Sequence, residues 1–365
     1  MTQCNRCLYT TEIPCVTIGP SGQCNYCDIH DTLQKTSTMT DKWTKQLRNL
    51  KAQRGTYQCL IGISGGLDSS IMLTWAVEQG LRPYVLHVDN GWNNPTAEHN
   101  MEILCRTLGV KLHKVWVGGQ EYNALCRSFL WASVPDADIP NDMAMAAIMM
   151  RTAHKHGIKY ILNGHNFRTE GSSPISWSYM DAEYIQSVWM AHEGAGHKLK
   201  KFPLMGFWEQ IYYALRGITQ VRVMHYLNPD IDRWTARLMQ MGWKSYGPKH
   251  AENLMTAFVS YYLLPQKFHI DKSLTYHSAL IRSGKMVRTD YLHPELPAFS
   301  DKKLALVRFR LGLTEDELDL IMVAPHSSYR NFHTLHHTFR RWRWLLRIIM
   351  RLGLIPYTFY KKYTS

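Results

Sequence analysis

The sequence predicts an α/β protein: a parallel sheet with a small metal-binding unit before it and a helical region after it. Three observations predict this. Apolar runs alternate with helix-patterned segments from about residue 57 to 166, glycine-rich or polar turns follow those runs, and two CxxC pairs stand near the N-terminus. The chain of 365 residues divides into a cysteine unit and linker (1–40), a sheet domain (41–202), a helical substrate or partner region (203–330) and a basic aromatic tail (331–365).

The first element is the cysteine unit. Cys4 and Cys7 are separated by sixteen residues from Cys24 and Cys27. A two-residue gap lets a pair of thiolates point at one ion, and two such pairs complete a tetrahedral Zn²⁺ site. Cys15 lies inside the same loop, as a substitute ligand or a free thiol. Cys59, Cys105 and Cys126 stand alone and read as small buried residues. Residues 31–42, DTLQKTSTMTDK, read as a linker.

The sheet comes next. YQCLIGIS (57–64) reads as a buried strand, and SSIMLTWAVEQG (69–80) as a helix closed by Gly80. Between them, SGGLDSS holds Gly65 and Gly66 at a strand-to-helix turn, where the missing Cβ atoms permit positive φ and close approach of a ligand. Helix-start N–H groups and the hydroxyls of Ser64, Ser69 and Ser70 suit a phosphate. Asp68 would repel a bare phosphate and makes sense with Mg²⁺ between the two. RPYVLHVDNGW is a second strand ending at Asp89 and Asn90, which lie near an adenosine or form an ordinary turn. NNPTAEHNMEILCRTLGV is a helix closed by Gly109, and KLHKVWVGG a third strand. IPNDMAMAAIMMRTAHKHG is a helix with Pro140 in its first turn, and IKYILNGHN a fourth strand. Ligands bind outside the carboxyl ends of such strands, so SGGLDSS, HVDNGW and NGHNFRTEG converge on one crevice. The last brings Gly164, His165, Asn166, Thr169 and Glu170.

From residue 203 the chain reads as helices rich in Trp, Tyr and Met, whose aromatic stripes are core. Within them GWKSYGPKHAENLMTAF places Lys249, His250 and Glu252 at a helix start, where a lysine reaches a leaving pyrophosphate or simply meets solvent. Residues 267–288 form a further polar segment.

SGGLDSS resembles the SGGxDS loop of the ATP pyrophosphatases, the PP-loop enzymes. YGPKHAENLMTAF, LPQKFHIDKSLTYHSALIRSGKM, GHNFRTEG and GHKLKKFP together resemble the N-acetyl sugar amidotransferases, PP-loop enzymes of surface-polysaccharide and nonulosonic-acid biosynthesis. The resemblance runs from the cysteine pairs to about residue 300. It departs at Pro248 and Asn253, where a glycine and a serine are expected, and at His269, near another expected glycine. It implies an ATP- and Mg²⁺-dependent carbon–nitrogen ligase that converts the N-acetyl group of a nucleotide-activated sugar to an acetamidino group, for O-antigen or a related glycan. The implied nucleotide residues are Ser64, Gly65, Gly66, Asp68, Ser69, Ser70, Asp89, Gly164 and His165, with Asp68, Lys249 and Glu170 catalytic.

Residue 2 is threonine and no GxCxG turn occurs, so ammonia comes from elsewhere. The resemblance implies separate glutaminase and channel subunits like those of histidine biosynthesis. Two rivals remain: a PP-loop tRNA-modifying enzyme of the thiolase or lysidine-synthase type, and a non-catalytic nucleotide-binding regulator. Net charge is +13, yet seven of the cationic residues, with no acidic one, lie in 331–365. That concentration in the tail disfavours a nucleic-acid partner. The tail reads as a basic amphipathic helix that meets a membrane surface, docks a partner or packs on the core. With no signal peptide and no membrane-spanning run, the expected location is the cytoplasm, with peripheral contact at the inner membrane.

Overall fold

A computed structural model describes residues 2–38, 40–194, 196–292 and 295–351. Five strands form one sheet: β1 Cys59–Gly62, β2 Pro83–Asp89, β3 Leu112–Trp116, β4 Tyr160–Asn163 and β5 Thr219–Arg222. All pairs are parallel and the order is β3-β2-β1-β4-β5. The order reverses between β1 and β4, the place where a doubly wound sheet opens a crevice at its carboxyl edge.

Successive strand residues point to opposite faces, and the core divides accordingly. Leu60, Leu86 and Ile161 face one apolar layer, which includes the helices Gln120–Trp131, Ile139–Lys155 and Ala182–Glu193 and most of the C-terminal helices. Ile61, Val85, Leu162 and Val221 face the other, against the helices Leu67–Glu78, Pro95–Thr107 and Ile231–Gln240. Gly80, Gly109 and Gly157 take positive φ just after their helices, as a left-handed helix end requires.

Two local expectations are corrected. Residues 31–42 are mostly helical rather than a linker, spanning the end of Asn25–Ser37 and the start of Thr40–Lys51. Thr32 and Thr36 return their hydroxyls to the carbonyls of Asp28 and Thr32, at 2.9 and 2.8 Å, and Trp43 stacks on Tyr226 at 4.6 Å. Tertiary packing overrides a polar, threonine-rich sequence here. In the region read as helical, β5 extends the sheet by pairing Leu162 with Val221. TQVR has only Val221 buried, too short a pattern to stand out.

Gln120–Trp131 was not anticipated either. The 254–268 run is helical as expected but passes through a π-helical turn, Val259–Leu263, just before Pro265, whose missing N–H suits a locally widened helix. No helix among the described residues is long and apolar enough to cross a membrane.

Candidate active site

At the end of β1 the chain turns through Gly65, at φ +77°, into the helix Leu67–Glu78. A Cβ on Gly65 would lie 2.2 Å from the Ala97 carbonyl oxygen, so glycine is required on two counts. Gly66 has ordinary φ, −72°, and is tight for another reason: its open side faces Glu252 Oε1 and the Tyr246 hydroxyl. The Gly66 carbonyl accepts from Ser69 Oγ (3.0 Å), Ser70 Oγ (2.8 Å) and Ser70 N (3.1 Å), which fixes the turn. Ser70 is fully buried, so its hydroxyl supports the loop from behind. Ser64 and Ser69 remain partly open, 3.4 Å apart.

Residues 243–254 close over this loop. Trp243 Nε1 and Asn100 Nδ2 donate to the Gly65 carbonyl at 3.1 and 3.2 Å, and Asn100 also pairs both ways with the Lys244 main chain. Asn94 N and Leu254 N bond across to the carbonyls of Glu252 and Trp92. The closure brings Lys249 to the helix start. Its Nζ stands 3.2 Å from Asp68 Oδ2 and 3.2 Å from Glu170 Oε1, with the three side chains 30 %, 20 % and 17 % exposed. Lys249 also lies over the Tyr276 ring, and Tyr261 donates its hydroxyl to the Lys249 carbonyl. The three residues expected to be catalytic are therefore one ion-paired group, drawn from the segments that follow β1 and β4 and from the C-terminal region.

Burial raises the Asp68 carboxyl to about 6 against the pull of Lys249, and the Glu170 charge pushes the same way as burial. Burial also opposes the charge on Lys249, but Glu170 and Asp68 together outweigh it and raise its pKa. Glu252 is raised by burial, and its Oε2 has no partner. His165, its side chain 42 % exposed, lies 3.6 Å from Glu170 and meets the Gly171 carbonyl at 3.1 Å. Gly164 packs against Met72 and the start of the Asp68 helix. Asp89 accepts from Gly91 N (2.9 Å) and Asn93 Nδ2 (3.0 Å), which is the turn-forming alternative. Asn90 is buried and bonded on both its polar atoms.

Two of the three departures from the expected pattern have simple readings. Asn253 caps the helix Leu254–Phe258 through its side-chain oxygen, a task serine performs equally. His269 takes φ +55° at a helix end, where glycine would be free of strain. Asn100, Trp243, Tyr246 and Tyr276 escaped the sequence reading, because each is an ordinary core or surface residue until the fold closes.

Behind the Glu170 loop sits the cysteine unit. Cys4, Cys7, Cys24 and Cys27 are all fully buried; three of their six Sγ separations are 3.6–3.7 Å and all lie within 4.8 Å. A tetrahedron of Zn–S bonds of about 2.3 Å has edges of about 3.8 Å, so the dimensions fit one zinc ion. Cys15 is outside the group and takes φ +67°. Arg282 Nη2 lies 3.0 Å from Cys7 Sγ, a cation against the thiolates. Tyr9 donates to the Ser172 carbonyl or Thr275 Oγ1, and Arg168 reaches Gln34, Ser37 and the His225 carbonyl. The cysteine unit thereby braces the segment that carries Glu170.

Residues 252–348, which begin at Glu252, match the model for the C-terminal domain of WbpG-like LPS biosynthesis proteins. The chain carries a WbpG-like C-terminal domain. Curated relatives match over longer stretches at low identity. The tRNA-specific 2-thiouridylase MnmA of Actinobacillus succinogenes is 23 % identical over 156 residues, 39 % of this chain and 40 % of that one. MnmA of Haemophilus influenzae is 25 % identical over 172 residues, 42 % and 44 %. The chain thus spans about two-fifths of the curated relatives' length. Among solved structures, NMN synthetase from Francisella tularensis matches with TM-score 0.27 and 12 % identity over 62 % of this chain and 99 % of that one. The U34-tRNA thiolase NcsA from Methanococcus maripaludis matches with TM-score 0.33 and 14 % identity over 86 % and 99 %. Likeness at that level carries no functional weight.

Proposed function

We propose that this protein is an ATP-dependent amidotransferase that converts the N-acetyl group of a nucleotide-activated sugar to an acetamidino group in LPS or related glycan biosynthesis. The observation that carries the reading is the Asp68–Lys249–Glu170 group at the mouth of the glycine loop, with Lys249 delivered three residues before a WbpG-like domain. A glycine turn, two carboxylates and a cation meet at one point.

An amide carbonyl is a poor electrophile, and ammonia does not displace its oxygen unaided. In the proposed reaction the amide oxygen attacks the α-phosphorus of ATP and pyrophosphate leaves toward Gly65 and Gly66. Ammonia then adds at the carbon, AMP departs with the former amide oxygen, and the product keeps the extra proton as an amidinium. Lys249 offsets charge on the departing pyrophosphate, and the loop and cation act chiefly by position and charge. Glu170 and Glu252, both beside the loop, suit the amidinium that develops. Asp68 would hold Mg²⁺: burial raises its pKa, and a divalent cation would favour its charged form. Ser64, Ser69, Gly164 and His165 border the nucleotide; Ser70 and Asp89 shape its turns. Zn²⁺ is structural. Ammonia comes from a partner glutaminase.

The test is AMP and pyrophosphate formation from ATP with ammonium and a panel of UDP- and CMP-linked diacetamido sugars, with the sugar followed by mass spectrometry. Amide-to-amidine conversion supports the reading; no turnover on any sugar, with ATP-dependent modification of added tRNA, replaces it. The tRNA alternative is favoured by the MnmA relatives. Against its thiolase form, Cys59, Cys105 and Cys126 are buried, and burial raises the pKa of each thiol, to about 12 and 11 for the first two.

A further inference from the structure

The helices Phe207–Leu215 and Arg343–Arg351 expose an apolar surface that neither the core nor the proposed reaction uses. On the first, Trp208 is 79 % and Leu215 83 % exposed, seven residues apart and so on one face. On the second, Leu346 turns inward and is buried, while Trp344 (58 % exposed) and Ile348 (47 %) stand one turn apart on the outside. Arg343, Arg347 and Arg351 repeat every four residues as a stripe beside them. The two regions touch, since the Phe207 ring meets Phe339 edge-on at 4.9 Å, just before Arg340 and Arg341.

Charge decides what this face meets. Five arginines lie among the aromatic and aliphatic residues of 340–351, and 331–365 hold no aspartate or glutamate. Protein interfaces also enrich tryptophan and arginine, so the deciding feature is five cations with no acidic residue beside them in sequence, which calls for a surface dense in anions. Alternating tryptophan and arginine without acidic partners matches a continuous layer of phosphates above hydrocarbon.

We propose that this face rests on an anionic phospholipid surface, with Trp208, Trp344 and Ile348 entering the headgroup–acyl boundary and Arg340, Arg343 and Arg347 paired with headgroup phosphates. The binding is peripheral and independent of the amidotransferase reading, because no residue of the ATP loop takes part. Its strength depends on both components: each arginine multiplies partitioning by about fivefold near an anionic surface.

Flotation of the full-length protein with vesicles of phosphatidylcholine plus phosphatidylglycerol, against phosphatidylcholine alone, tests it. The protein is expected to float with the anionic vesicles only, and less at about 0.5 M salt, where the screening length falls to a few ångströms. Arg343→Gln with Arg347→Gln should weaken partitioning about 25-fold, fivefold per arginine. Trp344→Ser with Ile348→Ser should also weaken it, with near-UV circular dichroism confirming that the fold is kept. Failure to float with anionic vesicles, or binding unchanged in both double variants, overturns the proposal and leaves the face to a protein partner.

Discussion

Replacing Gly65 with alanine tests the geometry of the nucleotide loop directly. The new Cβ would sit 2.2 Å from the Ala97 carbonyl oxygen and 2.7 and 2.8 Å from the Ala97 carbonyl carbon and Cα. These are main-chain atoms in the helix Pro95–Thr107 and do not rotate away. Alanine at φ +77° costs about 1–2 kcal/mol by itself, and forced overpacking adds about 1–3 kcal/mol. The total of about 2–5 kcal/mol is a large part of a typical folding stability of about 5–15 kcal/mol. Gly80→Ala is the matched control, because Gly80 has φ +74° but no atom within 4 Å of its added Cβ. Chemical unfolding of both variants separates the contact from the backbone strain, and calorimetric titration with ATP reads the loop. Gly65→Ala should unfold at lower denaturant than Gly80→Ala and bind ATP more weakly, since any shift of Gly65 also breaks its bonds from Trp243 and Asn100. Equal stability of the two variants would refute the packing argument.

Three other predictions address the charges and the metal. Lys249→Met should lower the rate of pyrophosphate formation by roughly a hundred- to a thousandfold, as loss of one preorganised charge partner does, while Lys249→Arg keeps part of the activity. Steady-state kinetics on the two variants check this. Burial holds the Asp136 carboxyl up near 7, with Tyr184 bonded to one oxygen and the other unpartnered. The folded state therefore binds this proton more tightly than the unfolded chain, so its stabilising contribution is complete below about pH 4 and disappears as pH rises through 7. Asp136→Asn should match the native protein at about pH 4 and exceed its stability at about pH 8 by on the order of 4 kcal/mol, read by urea unfolding at both pH values. The four-cysteine unit should hold one zinc ion per chain by elemental analysis. Chelation should lower the unfolding midpoint and expose the Glu170 segment, which Tyr9 and Arg168 tie to that unit, to hydrogen exchange.

Features that rest on neighbouring residues are legible before any fold is known. The cysteine pairs, the glycine turn, four strands and the glycine-ended helices all follow from spacing and periodicity, which act over a few residues. The sequence also named Asp68, Glu170 and Lys249, though separately and with Lys249 left between two roles. Only the tertiary structure joined them, for Lys249 and Asp68 lie 181 positions apart and meet because Trp243, Asn100 and Asn94 fasten residues 243–254 over the loop. The same long-range packing turned residues 31–42 into helix, put TQVR at the sheet edge and turned Ser70 inward, away from the loop's open side. Propensity and pattern are local energies of a few tenths of a kcal/mol per residue, and burial against distant segments outweighs them.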